Sequence, residues 1–264
     1  SPDHLSHFVR GAARRAPLIN RGYYARMSAM RRIALAFLAS GGTSPDQKQV
    51  LSLGAGFDTL YFWLQERGVA PRAYCEVDFA EVTSRKAAVI DAVPTLRSCM
   101  HTPAGADQPS ISPQKGTIHA KGYSLVPADI RDAAMVERAV FGDAGLDRSL
   151  PTLVLSECVL VYLPPKESAA IVGWVASAFE AAAMVIYEQI GPDDAFGRQM
   201  LQNLEVRGCP LLGLHATPTL AAHEARLTRA GFERASALEM ATIYSEWLDK
   251  ADLKRAERLP PFAE

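Results

Sequence analysis

The chain has 264 residues, a formal net charge of −1 and 48% hydrophobic residues, enough for one large core or one domain with an added lobe. Near-neutral charge argues against a protein held to nucleic acid mainly through phosphate contacts, which needs a basic excess. The four cysteines (Cys75, Cys99, Cys158, Cys209) stand singly, and His4, His7, His101, His119, His215 and His223 show no metal-ligand spacing. Neither a metal site nor a disulfide scaffold is expected, and the thiols read as reduced ones in a cytoplasmic, monomeric protein.

In order along the sequence, the first residue is Ser1 without a signal-like segment, and the natural N-terminus is expected upstream. Asn20–Ser40 reads as a helix: Tyr23, Met27, Met30, Ala34, Phe37 and Leu38 form an apolar stripe, and Gly41-Gly42 stops it. Val50–Leu53 is a short buried strand, and Asp58-Thr59 opens a helix after it. Ala73–Val77 is a second strand and Ala80–Asp91 a helix. Arg97–Lys121, with Pro103, Gly105, Pro109, Pro113 and Gly116, reads as a variable loop. A strand at Tyr123–Pro127 leads to Asp129-Ile130-Arg131-Asp132 and a helix through Val140; Thr152–Ser156 is another buried strand.

Ala169–Tyr187 is the one run apolar enough to suggest a membrane span. Glu180 interrupts it, and Ile171, Trp174, Val175, Ala178 and Phe179 recur at helical spacing. A helix over Pro164–Glu180 and a strand at Met184–Tyr187 fit better. Asp194–Val206 and Leu220–Ala230 read as helices and Glu233–Leu238 as a strand. Strands alternating with helices predict an α/β domain with a parallel sheet covered on both faces. Residues 1–45 form an N-terminal helical extension, or lid, and residues 46–264 the sheet domain.

Ligands in such sheets bind beyond the carboxyl ends of the strands. The residues there are Gly54-Ala55-Gly56, Asp78, Asp129 and Glu157. The loop lacks the third glycine of a dinucleotide fingerprint, its place taken by Thr59. It can approach a nucleoside or merely turn a corner. Asp78 follows the loop by about the 20 residues at which a carboxylate accepts from ribose hydroxyls, and it can equally cap a helix. Asp129 can accept from an adenine amino group with Ile130 packed on the ring, or cap the next helix. Glu157 lies between Leu153-Val154-Leu155 and Val159-Leu160-Val161, where a carboxylate is costly to bury without a cation or several donors. Together these acids repel phosphates and favour a sulfonium and an ammonium, a combination that points to S-adenosylmethionine rather than NAD.

Six segments carry a resemblance. "APLINRGYYAR" (Ala16–Arg26), "LSLGAGFDT" (Leu51–Thr59), "EVDF" (Glu76–Phe79), "ADIRD" (Ala128–Asp132), "ECVLVYL" (Glu157–Leu163) and "YEQI" (Tyr187–Ile190) resemble, in matching order, the leucine carboxyl methyltransferases. The resemblance runs from His7 to about Leu259. It implies a class I methyltransferase (Rossmann-like) sheet and methylation, by S-adenosylmethionine, of the C-terminal leucine carboxylate of type-2A protein phosphatase catalytic subunits. It implies a cofactor site of Arg26, Gly54, Asp78, Asp129, Ile130 and Glu157, to which the glycine loop adds Gly56. Arg26 and Tyr162 would meet the acceptor carboxylate. It also implies a longer N-terminal segment with a cofactor-touching lysine and a final antiparallel strand, whose connection should begin at Leu259–Glu264.

An α-carboxylate is ionised at pH 7, its reference pKa being about 3.3–3.7, so the expected in-line methyl transfer needs no general base. Cys158 reads as a small residue in an apolar strand and not as a nucleophile. Arg198, Asn203 and Arg207, within Gly197–Leu214, are candidates for lining the acceptor pocket. The alternatives are a paralogue methylating a carboxyl group on a modified tRNA base, an NAD-dependent oxidoreductase and a non-catalytic scaffold.

Overall fold

The computed structural model describes residues 4–8, 16–100 and 108–258. Its organising strand is β1 (Gln49–Leu53), buried at every position. On one side β1 pairs in parallel with β2 (Ala73–Asp78), Leu51 opposite Cys75, and on the other with β6 (Thr152–Glu157), Leu51 opposite Val154. Beyond β2 lies β5 (Tyr123–Pro127), and beyond β6 lies β7 (Ala182–Tyr187), both parallel. The antiparallel strands β3 (Ser110–Ser112) and β4 (Thr117–Ala120) extend the sheet past β5, giving the order β3-β4-β5-β2-β1-β6-β7.

The expected loop at Arg97–Lys121 is thus corrected. Of its described residues, Ser110–Ser112 and Thr117–Ala120 form a hairpin around Gly116, which adopts φ 66°. Glu233–Leu238, expected as a strand, pairs with none and runs as irregular backbone. Among the described residues β7 is an edge strand with no antiparallel strand beside it. The expected connection at Leu259–Glu264 lies outside the described residues, as does His101.

Helices cover both faces. On one, α1 (Pro17–Ala39), α2 (Leu60–Glu66), α3 (Ala80–Ala92) and the short α4 (Pro94–Ser98) bury Met30, Ala34, Leu38, Phe62, Ile90 and Leu96 against Val50 and Tyr74. On the other, α5 (Ala133–Glu137), α6 (Pro165–Ala178) and α8 (Leu220–Ala230) pack Val136, Ile171, Val175 and Leu227 on Leu51, Val77 and Val126. Between α6 and α8 come β7 and α7 (Ala195–Val206); α9 (Met240–Thr242), a wide turn at Ile243–Trp247 and α10 (Lys250–Glu257) follow. No described helix is long and apolar enough to cross a membrane.

Two buried lysines fix the sheet to its helices. Lys48 donates from Nζ to the carbonyls of Phe37 and Leu38 (both 2.8 Å) and Ser40 (2.5 Å), capping the C-terminus of α1. The ammonium satisfies carbonyls that the helix leaves unpaired and sits at the negative end of its dipole. Lys86 of α3 pairs with Glu76 of β2 at 2.5 Å, both side chains fully buried, and also donates to the Asp58 carbonyl at 2.8 Å. Tyr123 gives Glu76 a further hydrogen bond at 2.9 Å. Burial pushes the Glu76 carboxyl upward, and Lys86 opposes that shift.

Removing one partner of such a pair strands the other charge. Lys86→Met is expected to destabilise the protein by about 3–5 kcal/mol in a denaturant titration, with Lys86→Met/Glu76→Leu recovering much of the loss. Equal destabilisation in the single and double variants would contradict this account.

Candidate active site

The connectivity reverses its direction across the sheet at β1: β2 and β5 lie on one side, β6 and β7 on the other. The carboxyl ends of β1 and β6 therefore frame the crevice where an open α/β sheet binds ligands. At the end of β1, the amides of Gly54 and Ala55 both donate to the Val77 carbonyl (2.8 and 3.1 Å). Gly54 adopts φ 65°, and a Cβ on it would lie 2.6 Å from a Val159 methyl carbon. The glycine is required twice, by its backbone and by its neighbour. Lys86 holds the far end of the loop through the Asp58 carbonyl.

Asp78, at the end of β2, accepts from the Gly56 amide (2.7 Å) on one carboxylate oxygen and the Phe79 amide (2.7 Å) on the other. It is not the cap of α3; that position belongs to Phe79. The glycine loop thus orients the carboxylate. Asp78 and Gly54 line a cavity of about 280 Å³ with Phe79, Ala128, Ile130, Cys158, Val159, Tyr162 and Leu163.

The second acid, Asp129, behaves differently. Asp132 caps α5. The Asp129 carboxylate is held by the Arg131 guanidinium at 2.5–3.0 Å, which keeps its carboxyl below the usual range. Its neighbours Ala128 and Ile130 line the cavity, but Asp129 itself does not. Gly56 is likewise outside the lining and acts on Asp78.

Glu157 ends β6, and its Oε2 accepts from Arg26 Nε at 2.7 Å, joining α1 to the strand end. Burial raises the Glu157 carboxyl, with nearby Asp58 adding to the shift and Arg26 opposing it. Arg26 Nη1 reaches the Cys158 sulfur at 3.6 Å, Nη2 reaches the Glu157 carbonyl at 3.4 Å, and the guanidinium lies 4.8 Å from the centre of the Tyr187 ring. Cys158 is not the core residue expected of an apolar strand. It lies just past β6 with φ 55°, the one described non-glycine residue with positive φ, and lines the cavity. Burial pushes its thiol up, with Arg26 opposing, so it is no thiolate nucleophile at neutral pH.

Tyr162 lies on a tight turn at Leu160–Tyr162 and is 38% exposed. Sequence reading missed what holds that turn. Glu188, one residue past β7, has a fully buried side chain and accepts from the Val161 amide at 2.6 Å. Its second oxygen pairs at 3.1 Å with Arg226 of α8, which also donates to Ser168. From the opposite side, the Gly213 amide donates to the Val161 carbonyl at 2.8 Å. A Cβ on Gly213 would meet three carbonyls of the turn at 3.1–3.2 Å. The segment around Leu211 and Leu214 thus supports the Tyr162 turn. Arg198, Asn203 and Arg207 do not line the cavity: Arg198 donates to the Asp193 carbonyl and Asn203 bonds Gln199. The only sequence signal for Glu188 was its place in the YEQI segment.

The family model for leucine carboxyl methyltransferases matches residues 2–176. The chain belongs to the leucine carboxyl methyltransferase family. It is 47% identical to the leucine carboxyl methyltransferase 1 homolog of Arabidopsis thaliana, over 99% of this chain and 76% of that protein. With leucine carboxyl methyltransferase 1 of Rattus norvegicus it shares 36% identity, over 97% of this chain and 75% of the other. A human tRNA wybutosine-synthesizing protein 4 is 42% identical over 97% of this chain, which spans only 37% of that longer protein. Among solved structures, a methyltransferase of Thermobifida fusca superposes with TM-score 0.51 at 14% identity, over 84% of this chain and 81% of that one. The seven-stranded α/β fold is thus shared with methyltransferases, and the family is one that uses S-adenosylmethionine.

The residues fit that cofactor. Asp78 presents a carboxylate already oriented by two amides, Phe79 and Ile130 give the cavity apolar walls, and Gly54 leaves room that a Cβ would fill. Gly54→Ala is expected to weaken S-adenosylmethionine binding more than about tenfold by calorimetry, through the close contact and a left-handed backbone that costs about 1–2 kcal/mol. Adding Val159→Ala to that variant should recover part of the loss. No recovery would mean that the contact is not limiting.

Proposed function

We propose that this protein transfers a methyl group from S-adenosylmethionine to the α-carboxylate of the C-terminal leucine of a type-2A protein phosphatase catalytic subunit. The observation that carries the reading is the Arg26 guanidinium, fixed by Glu157 and lying beside Cys158 and the Tyr187 ring. A held guanidinium beside hydrogen-bond donors suits an acceptor that arrives ionised. A C-terminal carboxylate arrives so and needs no general base.

When bound, S-adenosylmethionine supplies an electrophilic methyl group on a positively charged sulfur. Gly54, Asp78 and Ile130, with Phe79, would hold its nucleoside portion, Asp129 would accept from the adenine amino group, and Glu157 anchors Arg26. Arg26 holds the acceptor carboxylate, a role suited to a guanidinium whose Nε edge is already fixed. Tyr162 donates a hydrogen bond that orients the acceptor. Residues 1–45, through α1, act as a lid that excludes water. Alignment of the two reactants is the main catalytic contribution, a class of effect that reaches about 7–11 kcal/mol. We place the protein in the cytoplasm, where its four unpaired cysteines stay reduced.

The test is methyl transfer from labelled S-adenosylmethionine to the phosphatase subunit with its terminal leucine present or deleted. Base-labile label only when the leucine is present is the expected result. Arg26→Ala is expected to abolish the label while the fold persists, because Lys48 and the Tyr24–Asp252 bond still hold α1 in place. Turnover near the unaltered level in that variant would remove Arg26 from the mechanism. A second reading, methylation of a carboxyl group on a modified tRNA base, draws on the 42% identity to the human wybutosine protein, which lies below the 47% shared with the Arabidopsis leucine carboxyl methyltransferase 1 homolog. Label in tRNA with none in the phosphatase would select it.

A further inference from the structure

Glu188 stands behind the wall of the nucleoside cavity rather than in it. What it holds is one peptide unit. Its Oε1 accepts from the Val161 amide at 2.6 Å, the Gly213 amide donates to the Val161 carbonyl at 2.8 Å, and the Tyr162 amide donates to the Val159 carbonyl at 3.1 Å. Every polar backbone atom from the Val161 nitrogen to the Tyr162 nitrogen is therefore engaged, and two of the three partners come from outside the turn. The Tyr162 side chain leaves from the end of this clamped unit and lines the cavity. At 38% exposure it has limited packing of its own, so the backbone beneath it sets where it points.

A neutral oxygen could also accept from the Val161 amide. The molecule instead buries a full charge there, brings Arg226 from α8 to within 3.1 Å and ties Arg226 to Ser168 of α6 at 3.1 Å. Burial pushes the Glu188 carboxyl upward, while Arg226 and the amides of Val161 and Leu160 oppose that shift. A buried ion pair adds little to stability, and apolar replacements of similar volume often serve as well. Charge-assisted hydrogen bonds, by contrast, are shorter and roughly twice as strong as neutral ones. An arrangement that is poor in stability and exacting in geometry suits orientation. Building on the role given to Tyr162 above, we propose that Glu188, backed by Arg226, is a positioning residue for methyl transfer. It fixes the Val161 peptide so that the Tyr162 hydroxyl meets the acceptor, and its effect on turnover passes through that hydroxyl.

The test compares two charge-free pairs, Glu188→Gln/Arg226→Met and Glu188→Leu/Arg226→Met, in methyl transfer to the phosphatase catalytic subunit. The pairs differ in one acceptor oxygen facing the Val161 amide. The glutamine pair should keep kcat within about threefold of the unaltered protein. The leucine pair should lower kcat at least about tenfold, as a misplaced contact does, with its dissociation constant for S-adenosylmethionine within about threefold of the unaltered value. Tyr162→Phe alone should also lower kcat at least about tenfold, the loss of one hydrogen bond to a charged group. Combined with the leucine pair it should add less than about twofold, because residues that act as one unit are not additive. Gly213→Ala, which crowds the same turn from the other side, should show the same non-additivity with Tyr162→Phe. It serves as the second variant should the leucine pair fail to fold. Equal kcat in the two pairs, or effects of Tyr162→Phe and the leucine pair that multiply, would overturn the proposal. Unaltered turnover in Tyr162→Phe would overturn the role of Tyr162, and absence of label with the unaltered protein would overturn the acceptor reading; the proposal falls with either.

Discussion

The ion pair between Arg26 and Glu157 is the constraint around which the site is arranged. A carboxylate at the end of a buried strand must find a cation, and the cation here comes from a helix more than a hundred positions earlier in the sequence. The pairing dictates where α1 lies, and other contacts keep it there. Lys48 takes the carbonyls at its C-terminus, Tyr24 bonds Asp252 of α10 at 2.5 Å, and Arg32 donates to the Trp247 carbonyl. The N-terminal helix is thereby part of the main core, through Met30, Ala34 and Leu38, and it sets Arg26 against Cys158, which lines the cavity.

The strand-end acids differ in how each is neutralised. Asp78 takes two backbone amides and lines the cavity, Asp129 takes an exposed arginine, and Glu157 takes an arginine that also reaches Cys158 at the cavity wall. Glu188, the most buried, divides itself between a backbone amide and Arg226 and spends its charge on shape. Fixed dipoles hold a carboxylate without supplying a counter-charge, so Asp78 keeps its negative potential for a ligand. The arginine-paired acids present a nearly balanced surface. One kind of side chain therefore does four different things because of its nearest donors.

Local pattern made much of this legible. The apolar runs at Val50–Leu53 and Thr152–Ser156 marked the central strands, and reading past the strand ends found Gly54, Asp78 and Glu157. Short edge strands were hidden: Ser110–Ser112 and Thr117–Ala120 are too short to show alternation within a stretch rich in proline and glycine. The reverse error at Glu233–Leu238 has the same root, since strand-like composition forms no strand without a partner edge. The pairs Lys86–Glu76 and Glu188–Arg226 were invisible because nothing in the linear sequence links partners that meet only in the folded molecule. Arg26 lay between these cases: on its own it reads as a solvated helix cation, and only the family pattern or the folded geometry joins it to Glu157.

The full burial of β1 has a consequence for motion. Its amides lie between two parallel neighbours in the middle of the sheet, a setting that usually exchanges hydrogen only when the whole domain opens. The C-terminal α9 and α10 segment meets α1 through the Tyr24–Asp252 bond and the exposed contact of Arg32 with the Trp247 carbonyl, and belongs to the part that opens more easily. The molecule thus joins a slow-breathing sheet centre to C-terminal helices that open more easily. Local opening at α9 and α10 leaves the glycine loop, anchored at the end of β1, in its shape.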